Sequence, residues 1–134
     1  MNFYLINDNY NEVVKLIRNA FEIDNNSFCE LLSNQRFLTL KVNGNLIGAL
    51  LISLENDPIK DVKGFYIDYV CIDDKYRNKG YGRMMLEEVI RIAKEENVNY
   101  MRLTSSSKRV FARKMYNSIG MKSLDTDLFY IEVR

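Results

Sequence analysis

Between residues 70 and 86 the chain reads Val70-Cys71-Ile72-Asp73-Asp74-Lys75-Tyr76-Arg77-Asn78-Lys79-Gly80-Tyr81-Gly82-Arg83-Met84-Met85-Leu86. An apolar strand pattern runs into a short basic loop with two glycines, and the loop opens onto an amphipathic helix pattern. Those residue types at that spacing can hold an anion. The first N–H groups of a helix have no partner inside the helix and point out of its N-terminus, where the helix dipole adds roughly half a positive charge. Gly80 and Gly82 remove side chains that would keep a phosphate from the backbone. Lys75, Arg77, Lys79 and Arg83 add positive charge. Neither the P-loop pattern G-x-x-x-x-G-K-[ST] nor the dinucleotide fingerprint G-x-G-x-x-G occurs. What stands is Arg-x-x-Gly-x-Gly at Arg77, Gly80 and Gly82. Taken alone, the pattern also fits a plain strand–loop–helix connection whose basic residues are merely solvated.

The rest of the chemical inventory is narrow. The chain has no histidine, which excludes Ser-His and Cys-His catalysis and His-containing zinc sites. Proton transfer falls to Asp, Glu, Tyr, Lys, the termini or water. Cys29 and Cys71 read as reduced thiols, and Cys71 lies inside an apolar strand as a small core residue. Asp68, in Phe65-Tyr66-Ile67-Asp68-Tyr69-Val70, is a carboxylate that is costly to bury without a purpose; the plainer reading is a solvated or structural acid. Period-two alternation places Asp68 on one strand face with Val70 and Ile72.

Stepping outward, the 134 residues suit one domain spanning 1–134, with 47% hydrophobic and 28% charged residues, ordinary values for a globular protein. The longest apolar runs are too short for a membrane span of about 20 residues. The N-terminus has no signal-peptide pattern, so a cytoplasmic setting with no membrane partner is expected. Net charge is +1, divided as −3 over residues 1–70 and +4 over residues 71–134. That balance argues against a nucleic-acid partner.

The elements that must position these residues follow from hydrophobic period. Phe3 to Ile6 reads as a strand and Tyr10 to Phe21 as a helix capped by Asn9 or Asp8. A second short helix is predicted from Asn26 to Leu32. Asn43-Gly44 between Phe37–Val42 and Leu46–Ile52 marks a hairpin, and residues 55–63 read as a polar loop. A strand from Phe65 to Ile72, a helix from Gly82 to Glu96 and a strand from Tyr100 to Thr104 follow. Val110 to Ile119 reads as a helix closed by Gly120, and Asp127 to Val133 as a last strand. The class is α/β, with a central mixed sheet: an antiparallel N-terminal meander joined to parallel strands, flanked by about four helices.

The segment from Val70 to Leu86 resembles motif A of the GNAT N-acetyltransferase superfamily, where [RQ]-x-x-G-x-[GA] cradles the pyrophosphate of coenzyme A. Tyr76-Arg77 matches the aromatic-Arg step of that motif. Downstream, Ala112-Arg113-Lys114-Met115-Tyr116-Asn117-Ser118-Ile119-Gly120-Met121 resembles the family's A-x-x-[FL]-Y-x-x-x-G-F. Element order matches too, so the resemblance covers nearly the whole chain. Asp74 stands where the family often has proline. Arg109 stands where it often has asparagine, and Ser105, Ser106, Ser107 or Lys108 is the substitute at hand; Ser107 is carried as the cofactor-binding candidate.

The resemblance implies acetyl-CoA as cosubstrate, no metal, and direct transfer of acetyl to a primary amine. It implies parallel strands that splay at the cofactor site. The pantetheine arm would pair with backbone at Val70, Cys71 and Ile72, where an N–H would polarise the thioester carbonyl. The pyrophosphate would lie on Arg77, Asn78, Lys79, Gly80, Tyr81, Gly82 and Arg83. Tyr116 matches the tyrosine beside the thioester sulfur; its reference pKa of about 10 suits protonation of a departing thiolate. Asp68 matches an acidic position in relatives that acetylate small amines, which implies a base or amine-binding anion, with Glu55 and Asp57 as second choices. Tyr66 and Tyr69 would line the acceptor site. The acidic N-terminal half suits a cationic acceptor such as a polyamine, aminoglycoside or lysine-like amine; a peptide amine is also open. Many members are dimers, which implies a homodimer. The alternatives are a non-catalytic acyl-CoA sensor or scaffold of the same fold, and an unrelated phosphate-binding module.

Overall fold

The structure is a computed structural model that describes residues 1–24 and 27–134. It forms two compact units, Met1–Thr104 and Ser105–Arg134.

The first unit holds one five-stranded sheet in the order β1-β2-β3-β4-β5, with β1 Asn2–Ile6, β2 Gln35–Val42, β3 Asn45–Asp57, β4 Val62–Ile72 and β5 Tyr100–Arg102. β1 to β4 are antiparallel neighbours, and β4 pairs with β5 in parallel. The hairpin expected at Asn43-Gly44 is present, with both residues at positive φ (+52° and +79°), the two-residue turn whose twist matches the strands. α1 (Asn11–Phe21) sets Val13 and Ile17 against Phe37, Ala49 and Cys71. α2 (Tyr81–Glu95) covers the other face. There Gly48 leaves room for Met85 and Ile72: a Cβ on it would come within 2.8 Å of both side chains. No helix among the described residues is long and apolar enough to cross a membrane.

Several expectations change. No helix forms over Ser27–Leu32, and Asn26 lies outside the described residues. The backbone there finds other partners: Leu31 N–H donates to the Tyr10 hydroxyl at 3.2 Å and Leu32 N–H to Gln35 Oε1 at 2.9 Å. Phe28 packs edge-on against Tyr10. A single turn is costly to nucleate, so these side-chain bonds prevail. Tyr10, not Asn9 or Asp8, is the N-cap of α1, and no side chain caps it. The loop at 55–63 shrinks to a tight turn, because β3 and β4 continue in register through Glu55↔Gly64, Asn56↔Lys63 and Asp57↔Val62. A strand that outruns the core can carry polar residues on both faces.

The second unit contains α3 (Val110–Ser118). Gly120 and Met121 N–H groups close it by donating to Asn117 and Tyr116 carbonyls, as the glycine signal implied. The expected strand from Asp127 to Val133 is not formed, and Leu128, Phe129, Tyr130 and Ile131 are exposed. Alternation marks a segment that tolerates extension, but a strand exists only where a neighbour completes its ladder. Three α-helices are present among the described residues, one fewer than expected.

Candidate active site

The site is built on β4. β5 accompanies it only along Gly64–Tyr66, through Gly64↔Tyr100, Phe65↔Met101 and Tyr66↔Arg102. Beyond Tyr66, β4 has β3 on one side and no strand among the described residues on the other. Its N–H and C=O groups on that side can pair with an extended ligand. Val70, Cys71 and Ile72 lie on this stretch, and Asp68 just before it.

A bulge interrupts the stretch. Cys71 pairs with Ala49 and Asp68 with Leu51, so Tyr69 and Val70 together oppose Leu50. Tyr69 takes φ +56° to allow this, an uncommon conformation for an aromatic residue. Directly opposed residues share a face. Asp68 therefore shares its face with Cys71, on the α1 side, while Ile72 pairs with Gly48 on the α2 side. The expectation of one face for Asp68, Val70 and Ile72 is corrected: the extra residue shifts the period by one.

Asp68 is half-buried, and burial raises its carboxyl above the ordinary carboxylate range while the Arg102 guanidinium pulls it back. The two second-choice acids are committed elsewhere. Glu55 accepts from Arg102 Nε and the Tyr100 hydroxyl, both at 2.9 Å, and its carboxyl is lowered chiefly by the Arg102 bond. Asp57 Oδ1 accepts the backbone N–H groups of Ile59 and Lys60 at 3.0 and 3.1 Å, holding the β3–β4 turn. The Cys71 thiol is pushed up to about 11 by burial, so it is not a nucleophile at neutral pH.

At the end of β4 the chain makes a single 3₁₀ turn, Asp74–Tyr76, whose N-cap Asp73 accepts from Lys75 N–H. Arg77 Nε donates to the Ile72 carbonyl at 3.1 Å and its other end pairs with Asp74 at 2.8 Å. Asn78 is left-handed. Gly80 caps α2 with φ +85°, and no side chain bonds to the cap. The first intrahelical bond from this end runs from Met84 N–H to the Gly80 carbonyl. The N–H groups of Tyr81 and Gly82 thus have no partner within the helix. Lys79 Nζ lies 5.7 Å from the Tyr76 ring centre, and Arg83 pairs with Glu87 along the helix. The exposed Arg77–Asp74 and Arg83–Glu87 pairs are weak bonds that an incoming phosphate can replace. The amides of Tyr81 and Gly82, a left-handed glycine and the cations of the loop fit a pyrophosphate, and the half-paired β4 fits an amide-bearing arm.

The second unit carries Ser107 and Tyr116. Tyr116, in the last turn of α3, is half-buried; burial raises its phenol above the ordinary value and Arg109 opposes this. It therefore stays protonated at neutral pH, as a proton donor must. Ser107 is exposed. Ser106 Oγ accepts the Lys108 N–H at 3.2 Å. Ser105 Oγ is buried and has no hydrogen-bond partner among the described residues, an unmet donor the sequence could not single out from its three neighbours.

These features define an α/β protein whose strand–loop–helix turn has the geometry and charge to suit a phosphorylated ligand. The sequence profile of the Acetyltransferase (GNAT) family matches residues 4–121. N-acetyltransferase 8B of Homo sapiens is 23% identical over 88 residues, which cover 66% of this chain and 37% of that protein's length. The aminoglycoside acetyltransferase meta-AAC0020 from an uncultured soil metagenomic sample, solved with trehalose, superposes with a TM-score of 0.88 at 14% identity, covering 99% of this chain and 96% of that one. A predicted acetyltransferase from Clostridium acetobutylicum, solved with acetyl-CoA, gives 0.74 at 18% identity, covering 97% and 95%. The structural likenesses establish the fold, and the profile establishes the family: this chain belongs to the Acetyltransferase (GNAT) family.

Proposed function

We propose that the protein transfers acetyl from acetyl-CoA directly to a primary amine, with a small cationic amine preferred over a peptide amine. One observation carries this reading: the basic glycine loop at the α2 N-terminus continues the strand whose edge β5 leaves open, and Asp68 sits on that same strand. Bound acetyl-CoA supplies an acetyl group activated as a thioester. Tyr81, Gly82 and Arg83 hold its pyrophosphate through backbone N–H groups, with Lys75, Arg77 and Lys79 adding charge, and Ser105 or Ser107 adding a hydroxyl contact. A β4 N–H at Val70 or its neighbour donates to the thioester carbonyl. The Asp68 carboxylate takes a proton from the acceptor ammonium, directly or through a water. The Tyr116 hydroxyl gives a proton to the departing sulfur.

The cationic acceptor is supported by charge. Residues 1–70 carry a balance of −3, and among the described residues Asp68 is an acid on β4 with no hydrogen-bonded partner of the kind Glu55 has. The aminoglycoside acetyltransferase among the structural neighbours acts on a polycationic amine class, which agrees with this preference. The test is thiol release from acetyl-CoA with a panel of cationic, neutral and acidic amines, comparing wild type with Asp68→Asn and Tyr116→Phe. Release with cationic amines that falls in both variants supports the proposal. Turnover only with neutral or acidic acceptors removes the cationic preference. Acetyl-CoA binding with no release for any amine points to a sensor or scaffold.

A further inference from the structure

Where β4 and β5 part, side chains from three strands interlock. Gly64 has no side chain, and the Tyr100 ring lies flat across it; a Cβ there would fall 2.1 Å from ring carbons. Lying so low, Tyr100 reaches across β4 and donates its hydroxyl to Glu55 Oε2 on β3 at 2.9 Å. Glu55 uses both oxygens on the fork of Arg102, with Nε on Oε2 at 2.9 Å and Nη2 on Oε1. The guanidinium carbon stands 4.5 Å from the centre of the Tyr66 ring. The Tyr66 hydroxyl meets Thr104 Oγ1 at 3.3 Å. Arg102 pairs with Tyr66 across the ladder, and Asp68 is two residues further along the same face of β4.

We propose that Arg102, fixed by Glu55 and Tyr100 over the Tyr66 ring, is a positioning residue that keeps the Asp68 carboxylate ionised for proton abstraction. This rests on the reading of Asp68 as the base. A guanidinium free to swing would seal Asp68 in an ion pair and remove it from the acceptor. One held by a second carboxylate lends its field and leaves the Asp68 oxygens open. Burial acts against ionisation of Asp68 and Arg102 acts for it.

Among the described residues, few other charged groups face Asp68. On β3 it faces Leu51. On β4 its neighbours are the phenols Tyr66 and Tyr69. α1 turns Val13, Ile17 and Phe21 to this face; its Arg18 bonds the Ser27 carbonyl and lies over Phe28, and Lys15 and Glu22 are exposed. From β5 comes Arg102, with Glu55 behind it.

The experiment is a carboxyl-carbon NMR titration of the full chain without ligand, with the Asp68 signal assigned by its loss in Asp68→Asn. It is paired with pH profiles of kcat/KM for the amine turned over best. In Arg102→Met the Asp68 titration and the acid limb move to higher pH. On that limb kcat/KM falls roughly tenfold while the high-pH plateau is kept. Glu55→Gln removes an anion and moves both the opposite way. Arg102→Lys returns the limb most of the way to wild type. Opposite shifts from the two partners of one ion pair cannot come from loosened packing. If Arg102→Met does not fold, the nearly isosteric Glu55→Gln carries the test. An Asp68 signal that titrates at the wild-type pH in both variants overturns the inference, as does a fallen plateau with an unmoved titration. If the signal moves but Asp68→Asn keeps the acid limb, the coupling stands and Asp68 is not the base.

Discussion

The two ends of β4 do different work and are built differently. The C-terminal end, from Val70 through the glycine loop into α2, consists of consecutive residues. Its chemistry is mostly backbone: the open strand edge, the left-handed Gly80 cap and the Tyr81 and Gly82 amides at the start of α2. The N-terminal end is assembled from Glu55, Gly64, Tyr66, Tyr100 and Arg102, and its bonds span up to 47 positions. Its chemistry is mostly side chain. On the proposed reading, binding is entrusted to a local motif that tolerates side-chain change. On the same reading, the setting of the base depends on distant residues meeting.

The largest effect that tests this division lies between the two ends. Asp68→Asn lowers kcat by about 10²- to 10⁴-fold, the usual worth of a general base, while acetyl-CoA affinity, measured by calorimetry, stays near wild type. Equal losses in both would place Asp68 in the binding end and blur the division. Gly80→Val forces a branched side chain to φ +85°. Left-handed backbone costs roughly 1–2 kcal/mol, so acetyl-CoA binding weakens by about tenfold or more, with a lowered Tm.

Gly64→Ala drives a methyl into the Tyr100 ring. The ring must leave Glu55, at an overpacking cost of roughly 1–3 kcal/mol. Thermal melting registers this loss, and acetyl-CoA affinity is unchanged. Loss of acetyl-CoA binding in Gly64→Ala would show that the two ends are coupled.

Cysteine chemistry gives a smaller contrast. At pH 8 iodoacetamide labels the exposed Cys29 and spares the buried Cys71, as mass spectrometry would show. The Cys71 thiol ionises in the unfolded chain near its ordinary value of 9.0 but in the folded chain only near 11. Across that window the unfolded state binds fewer protons, so stability falls as pH rises. Cys71→Ala flattens that slope in urea melts. The smallest effect is Arg91→Ala. Its pairs with Glu88 and Glu95 are on the solvent side of α2, far from either end, and the Tm does not move measurably.

The sequence was legible where interactions are local. The Asn43-Gly44 turn and the close of α3 at Gly120 are both short-range devices, and each is present. The glycine loop could be read for the same reason. What the sequence concealed depends on partners. The segment 27–32 satisfies its backbone on Tyr10 and Gln35 rather than on itself, and residues 127–133 form no strand although their pattern suits one. Within the candidate site, the Glu55–Arg102 pair could not be found by periodicity. Glu55 looked like a spare base until its oxygens proved to be occupied. The face of Asp68 was misread because alternation assumes an unbroken ladder, and a bulge leaves no mark in composition when its left-handed residue is a tyrosine.

That tyrosine makes β4 behave like a ruler with one extra division. Up to Asp68 the marks are counted in one parity, and from Cys71 onward in the other. A deletion of one residue at Tyr69 would leave both the glycine loop and the Glu55–Arg102 pair intact in sequence. The ladder would then run unbroken from Asp68 opposite Leu51 to Cys71 opposite Ala49, so the acid would keep its face and the left-handed kink at Tyr69 would be lost. The spare division therefore adds twist and re-aims the strand edge at Tyr69, while the face of Asp68 is set by its pairing with Leu51, and a library that varies strand lengths would find this stretch more forgiving of a one-residue loss than the regular ladder before it.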